Sequence, residues 1–270
     1  MNEEATTPPA LNIQPVKKPD ATWLRALGLM RRNPRATLLP IAVTQLPFAV
    51  LTAVVFFYLF NNQYPNAKFD SFDWLSNAPN GIRLTMVLVG AAQSLFSLVG
   101  ASATMVSVAG LIKSKPVRLA EALDPAFTRM GGLLLIGALF YGFILATAIG
   151  IIVMLYFLIR FGLALQVYMI EGTSITGALG GSWRLLRGRM LSFFGLALAT
   201  VPFGLALMIV TSIVLAIAVA PFGADPGRTV DLVFQSIAIL VVGIMLVPIG
   251  AFLATCTTIF YFAAKDQSSG

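Results

Sequence analysis

Gly131 to Ile170 reads GGLLLIGALFYGFILATAIGIIVMLYFLIRFGLALQVYMI, forty residues whose one charged side chain is Arg160. A continuous helix of that length would run about 60 Å at 1.5 Å per residue, whereas the hydrocarbon layer of a bilayer is roughly 30 Å thick and takes about 20 helical residues. The block therefore reads as two crossings joined near Gly150. Outward from it lie further apolar blocks, Thr37 to Phe60, Leu84 to Ile112, Met190 to Ala220 and Leu232 to Ala263, each the length of one tilted crossing. A chain that is 58% apolar and 11% charged lies outside the range of soluble domains. The expectation is an all-α polytopic membrane protein with six transmembrane helices arranged as three hairpins.

Flanking charge orients it, because Lys and Arg accumulate in cytoplasmic loops. With both termini inside, the inner segments hold Lys17, Lys18, Arg25, Arg31, Arg32, Arg35, Lys113, Lys115, Arg118, Arg129, Arg184, Arg187, Arg189 and Lys265; the outer loops hold Lys68, Arg83 and Arg228. A single crossing over 131–170 would move Arg184, Arg187 and Arg189 outside, so six crossings fit better. Residues 1–20, with Pro8, Pro9, Pro15 and Pro19 and no apolar core, read as a disordered cytoplasmic tail and not a cleavable signal. Residues 21–264 read as one membrane domain and 265–270 as a short tail. The net charge of +7 follows the cytoplasmic flanks, without the aromatic interleaving of a nucleic-acid surface, and so points to anionic lipid. Cys256 is alone within the last crossing, which leaves no disulfide framework inside the chain. The outer loop from Asn61 to Arg83, with Tyr64, Phe69, Phe72 and Trp74, is expected to rest at headgroup level.

A repeat accompanies the hairpins. Leu119, Leu123, Phe127 and Met130 precede the third crossing, and Ile175, Leu179, Trp183 and Leu186 precede the fifth at the same spacing; Trp23, Leu27, Arg31 and Arg32 form a looser version before the first. Each reads as a basic amphipathic helix in the interface, either a duplicated unit or the ordinary form of a short connector, with Pro125 weakening the middle copy. Trp183, Arg184, Arg187 and Arg189 are the expected lipid contacts. Ala138, Gly142, Ala146 and Gly150, every fourth residue, predict a close helix contact. Pro40, Pro47, Pro202 and Pro248 fall inside crossings and predict kinks.

The run Arg160-Phe161-Gly162-Leu163-Ala164, then Ile170-Glu171-Gly172, Gly177-Ala178-Leu179 and Ser182-Trp183-Arg184-Leu185-Leu186-Arg187-Gly188-Arg189, resembles the bacterial membrane domain found at the N-terminus of some glycerophosphoryl diester phosphodiesterases. Arg31-Arg32-Asn33-Pro34 and Thr257-Thr258-Ile259-Phe260-Tyr261 extend the resemblance over about residues 20–265. It implies a six-helix domain of the bacterial inner membrane, related to stand-alone proteins of that type. It does not carry the phosphodiesterase activity, which needs a metal-bound carboxylate set and histidine on a separate barrel; this chain has no histidine. The carboxylates are scattered over tails, loops and interfaces, with no spacing for a metal site or an acid and base couple, so no catalytic residue, metal or cofactor is expected.

Arg160 is the candidate site. With the turn at Gly150 it lies about 15 Å along the fourth crossing, near mid-membrane, where an Arg costs roughly 2.5–3.5 kcal/mol on insertion scales. No acid lies in any crossing, which leaves Gln45, Gln93, Gln166 and Gln235, backbone carbonyls, water or a lipid phosphate as partners. The functional reading is an anion or headgroup site built on Arg160 and Gln166; the bland one is an arginine snorkelling from a broken or re-entrant helix. Glu171 is expected to pair with Arg184 or Arg187. The functions left open are a non-enzymatic protein that binds, senses or moves phospholipid or glycerophosphate headgroups, a scaffold that positions partner proteins, and a small-molecule transporter, the last disfavoured by the lack of intramembrane carboxylates.

Overall fold

The computed structural model describes residues 19–63, 78–145, 151–219 and 228–267. Among them the chain is helical with no strand. The helices are α1 (Pro19–Arg32), α2 (Pro34–Tyr58, continued by a π turn over Leu59–Gln63), α3 (Asn80–Ile112), α4 (Leu119–Thr128), α5 (Met130–Leu145) and α6 (Ile151–Phe161). They are followed by α7 (Ala164–Gln166, continued by a second π turn over Val167–Glu171), α8 (Ile175–Leu185), α9 (Met190–Val219) and α10 (Arg228–Asp266). Three stretches, Pro34–Gln63, Asn80–Ile112 and Leu232–Asp266, are long and apolar enough to cross a membrane. The number rises to five if α4 with α5, bent by 67°, and α8 with α9, bent by 100°, each count as one span. These are the helices of a multi-pass membrane protein. The expected joint at Gly150, the 1–18 tail and the aromatics of the 64–77 loop lie outside the described residues.

The centre is a three-helix core in which α2 packs against both α3 and α10. Glycine makes the close approach possible. A β-carbon at Gly100 of α3 would lie 2.1 Å from Thr44 Oγ1 and 2.8 Å from Ile41 Cα, and on α10 one at Gly243 would lie 2.4 Å from Ala49 Cβ. Without the side chain the backbones meet, the device membrane helices use where lipid is as apolar as the core. Phe48 stacks on Phe96 at 4.0 Å, Thr52 Oγ1 donates to Gln93 Oε1 (3.1 Å), and Thr104 Oγ1 donates to the Thr37 carbonyl (3.3 Å). Outward-facing Val50, Val54, Leu84, Val87 and Leu88 form the exposed apolar exterior expected of lipid-facing helices. α2, α9 and α10 run through Pro40, Pro47, Pro202 and Pro248 without ending.

Of the small-residue face expected on α5, the residue whose surroundings are described turns outward. Ala138 is exposed, Leu133 and Ile136 are fully buried, and Ala146 and Gly150 fall outside the described residues. Where α5 meets α3, Gly137 faces it, and a β-carbon there would lie 3.2 Å from Leu98 Cδ2.

The short helices α1, α4 and α8 share one cluster with the C-terminal halves of α3 and α10. Each buries a pair of small residues four apart, Thr22 and Ala26, Ala122 and Ala126, Ala178 and Ser182, all at 0% exposure, and α1 buries Leu29 as well. Of the large residues expected on one amphipathic face, Leu186 is fully buried, Leu119, Leu123, Met130, Ile175 and Leu179 are half-buried, and Phe127 and Trp183 are exposed. A helix laid tightly across a bundle needs small side chains in the middle of the contact, so the bulky ones flank it.

Candidate functional site

The corner formed by α6, α7 and α8 carries the chemistry. The helix that starts at Ile151 stops at Phe161, and at the break the Gly162 N–H turns back to the Ile159 carbonyl (3.1 Å). A side chain from α8 enters the interrupted ladder. Ser182 Oγ accepts from the Leu163 N–H (3.1 Å) and donates to the Arg160 carbonyl (2.8 Å), satisfying one donor and one acceptor that the break releases. Gly181 lets α8 lie this close, since a β-carbon there would be 2.8 Å from Val167 Cγ1.

Arg160 thereby stands at the end of α6 beside α8. Its guanidinium lies 4.5 Å from the Trp183 ring centroid and 5.5 Å from that of Tyr156, and Nη1 donates to the Trp183 carbonyl at 3.4 Å, the long end of hydrogen bonding. That carbonyl belongs to the last turn of α8, which has no intrahelical partner of its own. Nε is buried with no hydrogen-bond partner, and among the described residues no carboxylate pairs with this charge.

Gln166 is not part of that contact. It is 1% exposed, and its Nε2 donates to Thr257 Oγ1 of α10 (2.6 Å) while Oε1 is unpartnered. The two candidate residues thus have separate partners, because the break at Gly162 turns the chain between them. Gln93 is likewise committed to Thr52.

Of the expected lipid contacts, Trp183 is 36% exposed, and Arg184 and Arg187 point outward without a hydrogen-bond partner among the described residues. Arg189 is only partly exposed and its Nη1 donates to the Ala264 carbonyl near the end of α10. Arg129 behaves alike: Nη1 donates to the Tyr168 carbonyl in the second π turn (2.8 Å), with the guanidinium 5.7 Å from the Tyr168 ring centroid. Arg129, Arg160 and Arg189 each serve a carbonyl near a helix end, where a cation also meets the negative end of the helix dipole.

Glu171 corrects another expectation. Its carboxylate accepts from Tyr261 Oη (2.6 Å) and Lys265 Nζ (2.7 Å) on α10, not from Arg184 or Arg187. α10 ends directly beside the second π turn, so the carboxylate meets its partners there before it can reach along α8. Partial burial alone would raise its pKa; the bonds from Lys265 and Tyr261, together with the charges of Lys265 and Arg184, outweigh this and hold it below the usual carboxylate value.

Sequence reasoning missed Ser182 as a bridge and Arg129 as a cap. Ser182 lies nineteen residues beyond Leu163, its backbone partner, and no local pattern announces such a contact. No cluster of three His, Cys, Asp or Glu side chains able to hold a metal occurs among the described residues. The fold and this corner define an all-helical membrane protein with a basic, aromatic collar at one end of its bundle. No family model, curated protein or solved structure matches the chain.

Proposed function

We propose that the chain is a non-enzymatic protein of the bacterial inner membrane that binds, senses or moves phospholipid through its headgroup, with the site at Arg160, Trp183, Arg184 and Arg187. One observation carries the reading: Arg160 is a half-buried guanidinium with an unpartnered N–H and, among the described residues, no carboxylate counter-charge. A phosphate supplies both the acceptor and the charge, and guanidinium matches its geometry. Exposed Arg184 and Arg187 add attraction for anionic lipid, and Trp183 is the side chain suited to the headgroup layer. In this reading the chain crosses six times as three hairpins, α5 with α6 forming the middle one, with both termini cytoplasmic and the collar on that side. The resemblance to the membrane domain of glycerophosphoryl diester phosphodiesterases supports a lipid-linked role without any hydrolytic one.

Native mass spectrometry of the detergent-purified protein, wild type beside Arg160→Leu, tests it. Phosphatidylglycerol retained by the wild type and reduced at least tenfold in the variant is the expected result. No retention, or equal retention by both, rejects the site and favours a scaffold.

A further inference from the structure

The outer face of α8 carries its cations as a row. At one end Arg160 lies against the Trp183 ring (4.5 Å) and donates through Nη1 to the Trp183 carbonyl, a contact at the exposed surface. The helical winding continues beyond α8, with Leu186 N–H donating to the Ser182 carbonyl (3.0 Å) and Arg187 N–H to the Arg184 carbonyl (3.2 Å). Arg187 therefore stands about one turn, roughly 5–6 Å, beyond Trp183 on the same side. It is exposed and makes no hydrogen bond among the described residues. Arg184, between the two, already acts on the Glu171 carboxylate and helps to lower its pKa. Arg160 and Arg187 have no carboxylate paired with them among the described residues. The row thus presents two uncompensated guanidinium groups with an indole between them. Its flanks are apolar and open. Tyr156 is 39% exposed, and Leu191, at 82%, is the most exposed large apolar side chain among the described residues. Gly188, between Arg187 and Leu191, has nothing within 4 Å of a β-carbon built on it.

We infer that this row takes a lipid with two phosphodiesters joined by one glycerol, the cardiolipin headgroup, with one phosphate at Arg160 and the other at Arg187. The inference rests on the headgroup reading and narrows it to one lipid class. A lipid with a single phosphodiester neutralises one of the two cations and leaves the other unpaired. Two phosphates on a three-carbon bridge reach both across a step of one helical turn, and the second joins as an intramolecular event once the first is held. Guanidinium suits each phosphate, because its fork of N–H donors matches two oxygens. Trp183 sits between them at the level where indole is favoured, and Tyr156 and Leu191 offer apolar surface to the acyl chains.

Competition in native mass spectrometry tests it. The detergent-purified protein is equilibrated with equimolar cardiolipin, phosphatidylglycerol and phosphatidic acid, the last concentrating its charge on one phosphate. The wild type is expected to retain cardiolipin about tenfold over either of the others. Arg187→Gln, at an exposed side chain the fold does not use, should bring cardiolipin down to parity with phosphatidylglycerol. Arg31→Gln removes an equal charge from the exposed end of α1 and should leave the preference in place. Phosphatidic acid matching cardiolipin, or Arg31→Gln erasing the preference as fully as Arg187→Gln, would assign binding to total charge and overturn the inference. Equal retention of cardiolipin and phosphatidylglycerol by the wild type overturns it too, while the headgroup reading still stands on the loss in Arg160→Leu. Retention of no anionic lipid removes both.

Discussion

The α2, α3 and α10 core and the α6 to α8 corner are held together by different means. In the core, backbones touch across Gly100 and Gly243, and the seam is closed mainly by side-chain volume, with two hydrogen bonds between α2 and α3. In the corner, hydrogen bonds to backbone groups, arginine caps and one serine in a broken ladder add to the burial of Leu163, Val167 and Leu186, beside two left-handed glycines. Volume packing cannot be released without opening a void, whereas polar contacts exchange for water or a phosphate when the segment moves. The two regions thus differ in how much of their closure is polar, and the candidate site is in the more polar one.

The strongest challenge to that contrast is at Gly100. Gly100→Ala drives a methyl into Thr44 Oγ1 and the Ile41 backbone, and overpacking of this kind costs about 1–3 kcal/mol or more when backbone is struck. The expected outcome is a marked loss of thermal stability and of monodisperse protein in size-exclusion chromatography. Gly180→Ala on the open face of α8, where nothing lies within 4 Å, should show no such loss. Equal effects at the two positions would erase the distinction.

A smaller change is expected at the end of α3. Ser114 is the non-glycine residue with positive φ (55°) among the described residues, in a turn where Lys115 N–H reaches the Gly110 carbonyl (2.8 Å) and Ser114 N–H the Leu111 carbonyl (3.2 Å). That is the bonding of a helix stop which ordinarily carries glycine. Ser114→Gly should raise the melting temperature, by a stabilisation of about 0.5–1 kcal/mol. A fall would mean that the serine makes a contact worth more than the strain.

The smallest effect separates the corner by pH. Because the folded-state pKa of Glu171 is lowered, its link to Lys265 and Tyr261 is complete above the usual carboxylate range and is lost as pH falls through the lowered value. For a partly exposed pair the contribution is on the order of 1 kcal/mol or less. Thermal unfolding of wild type and Glu171→Gln should therefore differ at neutral pH and converge once the pH has fallen below the lowered folded-state value. A difference that persists in acid would assign the stabilisation to shape and not to charge.

The membrane helices were legible because an apolar run of fixed length has one physical reading, and the short basic helices because their periodicity is local. The corner was not. Arg160 stood out as a charge inside an apolar block, but its surroundings did not, because the break that sets them is completed by Ser182 from another helix. Glu171 was matched to the nearest basic residues in sequence, while its partners lie ninety and more residues away on α10. The arginines proved separable only in three dimensions: Arg129, Arg160 and Arg189 turn in to carbonyls, and Arg184 and Arg187 turn out.

The most direct test of the headgroup site uses Trp183 as its own reporter. In nanodiscs, with Trp23 and Trp74 replaced by Phe, a low mole fraction of brominated phosphatidylglycerol should quench Trp183 fluorescence more than the same fraction of brominated phosphatidylcholine, and Arg160→Leu should remove the difference. Equal quenching by the two lipids in the wild type, or a preference that survives loss of Arg160, would contradict an anionic headgroup site at this corner.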